Sequence, residues 1–114
     1  MKIIKKSQTN IHKNSDNCVA HEYPFEHPDI NMAIIELTDR YPESGYVLNE
    51  ICTEIAYVMS GDAEVVFKDG TQVSLTVGDA ILLEPNEPYY WNGTCTLCIP
   101  CTPAWNPDQH KVVE

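Results

Sequence analysis

Positive charge is scarce in this chain. Seven lysines and arginines face 17 aspartates and glutamates, a formal net charge of −10 over 114 residues, and four of the seven (Lys2, Lys5, Lys6, Lys13) lie at the very start. Beyond Lys13 only Arg40, Lys68 and Lys111 remain, so most of the surface repels phosphate backbones and nucleic acid is excluded as a partner. Long apolar runs are missing too. No stretch approaches the roughly 20 residues that span a bilayer as a helix, and Met1-Lys-Ile-Ile-Lys-Lys6 leads into Ser7-Gln-Thr-Asn10 instead of a signal-peptide core. The expected setting is cytoplasmic, without membrane contact. Cysteine comes in an odd number, five, and without an export signal all are expected as free thiols in a reducing compartment. Internal repeats and low-complexity tracts are absent, and a chain of this length buries one core.

What is present divides into three parts. Residues 1–29 read as an N-terminal arm and edge segment: polar and without periodicity up to Asn17, then held extended across His21-Glu-Tyr-Pro-Phe-Glu-His27 by Pro24 and Pro28. Residues 30–103 carry short β-branched or aromatic runs, among them Met32–Leu37, Ile55–Met59, Ala80–Glu84, Tyr89–Trp91 and Thr94–Cys101, separated by proline and glycine turns. Such a series predicts an all-β sandwich or barrel. Residues 104–114 form a tail stiffened by proline and carrying Trp105. It is expected to dock on the barrel, sealing its core or a dimer interface, or forming a pocket wall with Tyr89–Trp91.

One hairpin fixes its own register. A two-residue Asp69-Gly70 loop would set Val65 and Phe67 opposite Ser74 and Gln72. A three-residue Lys68-Asp69-Gly70 loop, with Gly70 left-handed, sets Val65 against Val73 and Ala63 against Leu75. The second gives one continuous apolar face and is preferred.

Two short motifs sit in this frame. Glu54 is followed by six residues and Gly61; Gly78 leads through a strand to Pro85 and back on an antiparallel strand. The arrangement resembles a small single-domain cupin, a double-stranded jelly-roll barrel, over roughly residues 30–103. The resemblance implies a barrel whose interior holds a metal on a His-x-His pair, a glutamate and a further histidine. Here the positions of the pair are Val47 and Asn49, or Leu48 and Glu50 under the other permitted spacing, and that of the last histidine is Tyr90. The family's metal-binding histidines are thus not at these positions, and no cofactor is expected. What the resemblance leaves is a carboxylate, an amide and a phenol (Glu54, Asn49 and Tyr90), with Trp91 and Tyr57 as aromatic walls or interface residues. Glu54 and Tyr90 would serve as an acid and base pair if burial raises the carboxyl, or Glu54 would simply be satisfied across the barrel. A divalent metal on Glu50 and Glu54, helped by a cysteine or a distant histidine, is the weaker alternative.

The remaining chemistry-bearing residues lie outside the motifs. His12 falls in the arm; His21, His27 and His110 are expected at the surface or edge, or folded over the barrel mouth. Cys95-Thr-Leu-Cys98-Ile-Pro-Cys101 has the spacing of a metal or redox motif, yet a strand turns Cys95 and Cys98 to opposite faces, so packing as small hydrophobes is the better reading. The expected function is binding of a polar or sugar-like small molecule in the barrel. An isomerase, epimerase or lyase using Glu54, a metal-dependent oxygenase, and a binding module without turnover are the alternatives. A homodimer is expected because Ile55, Tyr57 and Met59 alternate with the equally apolar Ala56 and Val58.

Overall fold

The computed structural model describes residues 1–114. Nine strands build a single curled sheet: β1 (Asn10–Ser15), β2 (Cys18–Glu22), β3 (Asn31–Leu37), β4 (Tyr46–Asn49), β5 (Thr53–Phe67), β6 (Gln72–Thr76), β7 (Ala80–Leu83), β8 (Tyr89–Thr102) and β9 (His110–Val113). The chain has no α-helix, only two single 3-10 turns, and hence none long and apolar enough to cross a membrane. The long strands β5 and β8 are the spine, paired antiparallel from Thr53 opposite Thr102 to Phe67 opposite Tyr89. On its other edge β5 takes β6 and β7, and β8 takes β3, then β2 and β1. Strand β4 closes the sheet by joining β8 to β9.

Alternation explains the core. Along β8, Tyr89, Trp91, Cys95, Leu97, Ile99 and Cys101 are buried, while Tyr90, Thr96 and Cys98 turn to the other face. Ala56 and Val58 of β5 point inward, and Ile55, Tyr57 and Met59 are exposed. Leu37, Val47, Val58, Val65 and Leu97 are at most 1% exposed; such burial is worth roughly 1.5–3 kcal/mol per side chain. The Cys95 to Cys101 run is therefore strand, and all five cysteines of the chain are unpaired.

The expected hairpin register holds: Ala63 faces Leu75 and Val65 faces Val73. Gly70 has φ +96° and its N–H closes the turn on the Phe67 carbonyl. The motif glycine Gly61 has a different reason. A Cβ there would lie 2.1 Å from the Thr94 carbonyl oxygen, so only glycine lets β5 approach β8.

The N-terminal segment is extended and also more than an arm. Its Asn10–Ser15 and Cys18–Glu22 stretches form a hairpin on β3, closed by a Lys13–Asp16 ion pair and by the Asn17 N–H on Ser15 Oγ. Cys18 and Ala20, two residues apart, are the inward anchors. Period-two burial was carried by these small side chains, which a reading for large apolar residues passes over.

Candidate functional site

The inner faces of β1 to β5 and β8, together with the tail, enclose an open cavity with about 80 Å³ of space for the centres of water-sized atoms. Glu54 enters from β5, directly opposite Leu83 of β7 and Cys101 of β8. Asn49 enters from the end of β4, where Val47 and Asn49 are the inward residues and Leu48 and Glu50 the outward ones. The intervening turn is pinned by Gln109, whose buried side-chain oxygen accepts from the Ile51 and Cys52 N–H groups at 3.1 and 2.8 Å.

Asn49 is the pivot of the polar set. Its register partner on β9 is His110, so the two side chains emerge on the same face. The Trp105 indole Nε1–H, which can only donate, reaches Asn49 Oδ1 at 2.9 Å, and His110 Nδ1 lies 2.9 Å from the same oxygen. That fixes the amide: the oxygen faces the tail, and the Nδ2 group donates to Glu54 Oε1. Since Oδ1 can only accept, His110 carries its proton on Nδ1, and its Nε2 accepts from the Tyr41 hydroxyl at 2.8 Å. Tyr41 is itself held by a reciprocal backbone pair with Trp91. A directed chain results, Tyr41 to His110 to Asn49 to Glu54.

Protonation follows burial. Burial pushes the Glu54 carboxyl up to about 7, against a smaller lowering by the Asn49 hydrogen bond. Burial and the nearby His12 push His110 down to about 4, so it is neutral, as its two hydrogen bonds require. Tyr89, also inward, is raised well above its ordinary value by burial and then by Glu54, and keeps its hydroxyl proton. Neither Glu54 Oε2 nor the Tyr89 hydroxyl has a protein partner; both residues line the cavity. Beside them Cys101 donates to Asn31 Oδ1 at 2.6 Å, and the same Asn31 side chain clamps the backbone of Trp105 from both sides. The tail is thereby docked as a cavity wall.

Of the residues expected from sequence, Asn49, Glu54 and Trp91 meet in the cavity. Tyr90 does not. It lies on the opposite face of β8, beneath the Arg40 guanidinium at 3.9 Å from its ring centre and beside Tyr46. The reason is the extra residue between Gly78 and Pro85, which shifts the return strand by one and brings Tyr89 inward. Glu50 is likewise outside: it is exposed and 3.9 Å from Lys111, so a Glu50–Glu54 metal pair does not converge. Tyr57 is exposed on the outer sheet face. His21 pairs with Glu36 outside the barrel at 3.2 Å and His27 sits in an exposed turn. His12, placed in the arm by sequence, lines the cavity, 5.9 Å from the Trp105 ring. Its signal was faint: His12 and Asn14 alternate on β1, opposite a β2 that buries Cys18 and Ala20.

The residues do not fit the metal centre of the fold. Asn49 and Val47 occupy the pair positions, both His110 nitrogens are engaged, and no group of three or more histidine, cysteine, aspartate or glutamate side chains stands together.

Comparison with known proteins agrees with this architecture. The solved structure of Pac13 from Streptomyces, described as a nucleoside dehydratase, superposes with a TM-score of 0.87 at 16% identity, covering 100% of this chain and 92% of that one. A Pac13 variant has also been solved with uridine. KdgF from a Halomonas species matches with a TM-score of 0.71 at 16% identity, over 95% of this chain and 97% of that one. An RmlC-like cupin from Shewanella frigidimarina matches with a TM-score of 0.70 at 20% identity, over 91% of each. At these identities the likeness is one of fold. No curated protein matches the sequence. The family model described as the EutQ-like cupin domain matches residues 42–100, more than half of the chain and the segment that carries Asn49, Glu54, Tyr89 and Trp91. This chain belongs to the EutQ-like cupin domain family.

Proposed function

We propose that this cupin binds a polar, ring-sized small molecule in its barrel and acts on it by general acid–base chemistry of the lyase, isomerase or epimerase kind. Glu54 is the base and the Tyr89 hydroxyl the acid. The observation that carries this is Glu54 itself: a carboxyl raised to about 7, one oxygen held by Asn49, the other facing an open cavity. Near neutral pH such a group is both available as a base and strong enough to take a proton from a carbon beside a carbonyl. In an elimination, Glu54 Oε2 removes that proton, the C–H electrons form the double bond, and the departing hydroxyl leaves as water with the Tyr89 proton. Glu54 then releases its proton to solvent in the cavity and Tyr89 regains one from it, which restores both groups. In an epimerisation the carbanion is reprotonated from the other side. That Pac13, alike in fold over the whole of this chain and 92% of its own, is described as a nucleoside dehydratase supports the elimination.

The test uses neutral nucleosides, aldoses and ketoses in D2O, followed by NMR. Wild type is expected to wash deuterium into one of them or release an unsaturated product, and Glu54→Gln to do neither while still binding. Turnover preserved in Glu54→Gln refutes the assignment. We also place a second copy of the chain on the exposed row Ile55, Tyr57 and Met59 with Leu82; sedimentation decides whether the protein is a homodimer.

A further inference from the structure

We infer that the cavity selects against anions: its ligand is a hydrogen-bond-donating, non-anionic molecule, without phosphate or carboxylate. This narrows the ligand of the acid–base site proposed above and rests on that reading.

The charge census carries the argument. The cavity is lined by 20 residues, and no lysine or arginine is among them. The charged side chains there are Glu22 and Glu54. The five cations with a polar partner are all engaged elsewhere: Lys2 on the Phe25 carbonyl, Lys13 on Asp16, Arg40 on the Gly45 carbonyl, Lys68 on the Glu114 carbonyl and Lys111 on Glu50. Lys5 caps and Lys6 begins the first 3-10 turn, and neither lines the cavity. Above pH 7, where Glu54 is ionised, a phosphate or carboxylate entering the site would thus meet two like charges and no lysine or arginine.

The hydrogen-bond census points the same way. Each donor named has one partner inside the protein, the Trp105 indole on Asn49, the Asn49 amide on Glu54 and the Asn31 amide on the Trp105 carbonyl, which leaves only the second N–H of each amide. The unpaired capacity is mostly acceptor, from Glu22, Glu54 Oε2 and Asn14 Oδ1, with His12 and the Tyr89 hydroxyl able to play either part. A ligand must therefore bring donors, as ring hydroxyls or amine N–H groups do. The rings of Tyr89, Trp91 and Trp105 supply apolar walls against its flat faces.

The chain makes its own reporter, because its two tryptophans, Trp91 and Trp105, both line this cavity. Tryptophan emission is quenched at pH 8 with acrylamide, caesium and iodide, each referred to N-acetyltryptophanamide, in about 0.5 M salt so that the net charge of the whole molecule is screened beyond about 4 Å. Acrylamide and caesium are expected to quench, with iodide at most about a fifth as effective as acrylamide. Replacing Glu22→Gln and Glu54→Gln together should raise the iodide constant several-fold and leave acrylamide unchanged. Iodide quenching equal to acrylamide, no quenching by acrylamide, or an iodide constant unmoved by the double replacement overturns the inference. So does glucose 6-phosphate or uridine 5′-monophosphate shifting the emission more than glucose or uridine does. The acid–base reading fails separately, through turnover preserved in Glu54→Gln, an outcome that does not bear on the quencher pattern of the wild type.

Discussion

Glu54→Gln should stabilise this protein, and only above a certain pH. In the unfolded chain the carboxyl ionises near 4.5; in the folded chain burial holds it up to about 7. Between these values the folded state binds more protons than the unfolded one, so stability falls as pH rises. Below pH 4.5 the side chain is protonated in both states and contributes no penalty; above pH 7 the penalty is complete. A shift of that size corresponds to about 3 kcal/mol, and water reaching the free Oε2 from the cavity relieves part of it, leaving about 2–3 kcal/mol. Glutamine keeps the acceptor that Asn49 Nδ2 uses and carries no charge. It therefore resembles the protonated glutamate and escapes the penalty.

Urea unfolding of both proteins, followed by circular dichroism at intervals from pH 4.5 to 8.5, gives the difference directly, because every other titrating group is common to the two. The curves should coincide at pH 4.5 and separate with a midpoint between there and pH 7. At pH 8 the variant should be the more stable by about 2–3 kcal/mol, or roughly 10 °C in Tm for a chain of this size. A constant difference across the range would mean that the carboxyl titrates alike in both states. A variant less stable at pH 8 would mean that the Glu54 carboxylate is held by partners the structure does not give it. Either result removes the basis for Glu54 as a base poised near neutrality.

Three further outcomes follow from particular contacts. Tyr89→Phe should abolish turnover and leave binding within a few-fold, whereas Tyr90→Phe should leave both unchanged, since Tyr90 packs beneath Arg40 on the outer face; equal effects in ligand titration and turnover would contradict this placement. Gly61→Ala should destabilise by about 2–4 kcal/mol in urea unfolding, through the clash with Thr94 and a φ of +77°, whereas Gly70→Ala, with nothing within 4 Å, should cost about 1 kcal/mol. In thiol titration of native protein Cys98, half-buried on the outer face, and Cys101, which lines the cavity and is held below its ordinary value chiefly by hydrogen bonding with the Cys52 thiol, should react first, and Cys18, Cys52 and Cys95, all buried, only on unfolding. Burial also raises Cys18 and Cys95 to about 11. Five equally fast thiols, or stoichiometric metal that survives chelation, would contradict the packing role.

How far a sequence exposes such a site depends on whether the information is local. The Glu54 to Gly61 spacing, the Gly78 and Pro85 turn and the Asp69-Gly70 hairpin are each written within a few residues, because turn geometry and strand alternation act over that range. They identified the barrel and placed Glu54 inside it. Asn49 follows from one of the two spacings the motif permits, whereas Trp91 enters only as an aromatic wall or interface residue. Tyr89 was legible by another route: β8 keeps its alternation from Tyr89 to Thr102, the register shift of its pairing falling on β5 between Val58 and Ser60, so counting back in twos from the apolar Ile99 and Leu97 reaches Trp91 and then Tyr89, never Tyr90. The family spacing and the parity of the strand disagreed by the one extra residue, and parity governs because a side chain cannot change faces without a bulge. Tyr41 had no such signal, and for Trp105 and His110 the sequence offers only that the tail docks as a pocket wall or folds over the mouth, without naming their partners. They reach Asn49 and each other only through β9 folding back on β4 and Asn31 gripping the tail, contacts that span 56 to 74 residues. Nothing around His110 in Asp108-Gln-His-Lys-Val says that its neighbour will be Asn49. The residues that orient the Glu54 carboxyl thus lie in the part of the chain where local pattern is weakest, and they became visible only once the sheet had closed.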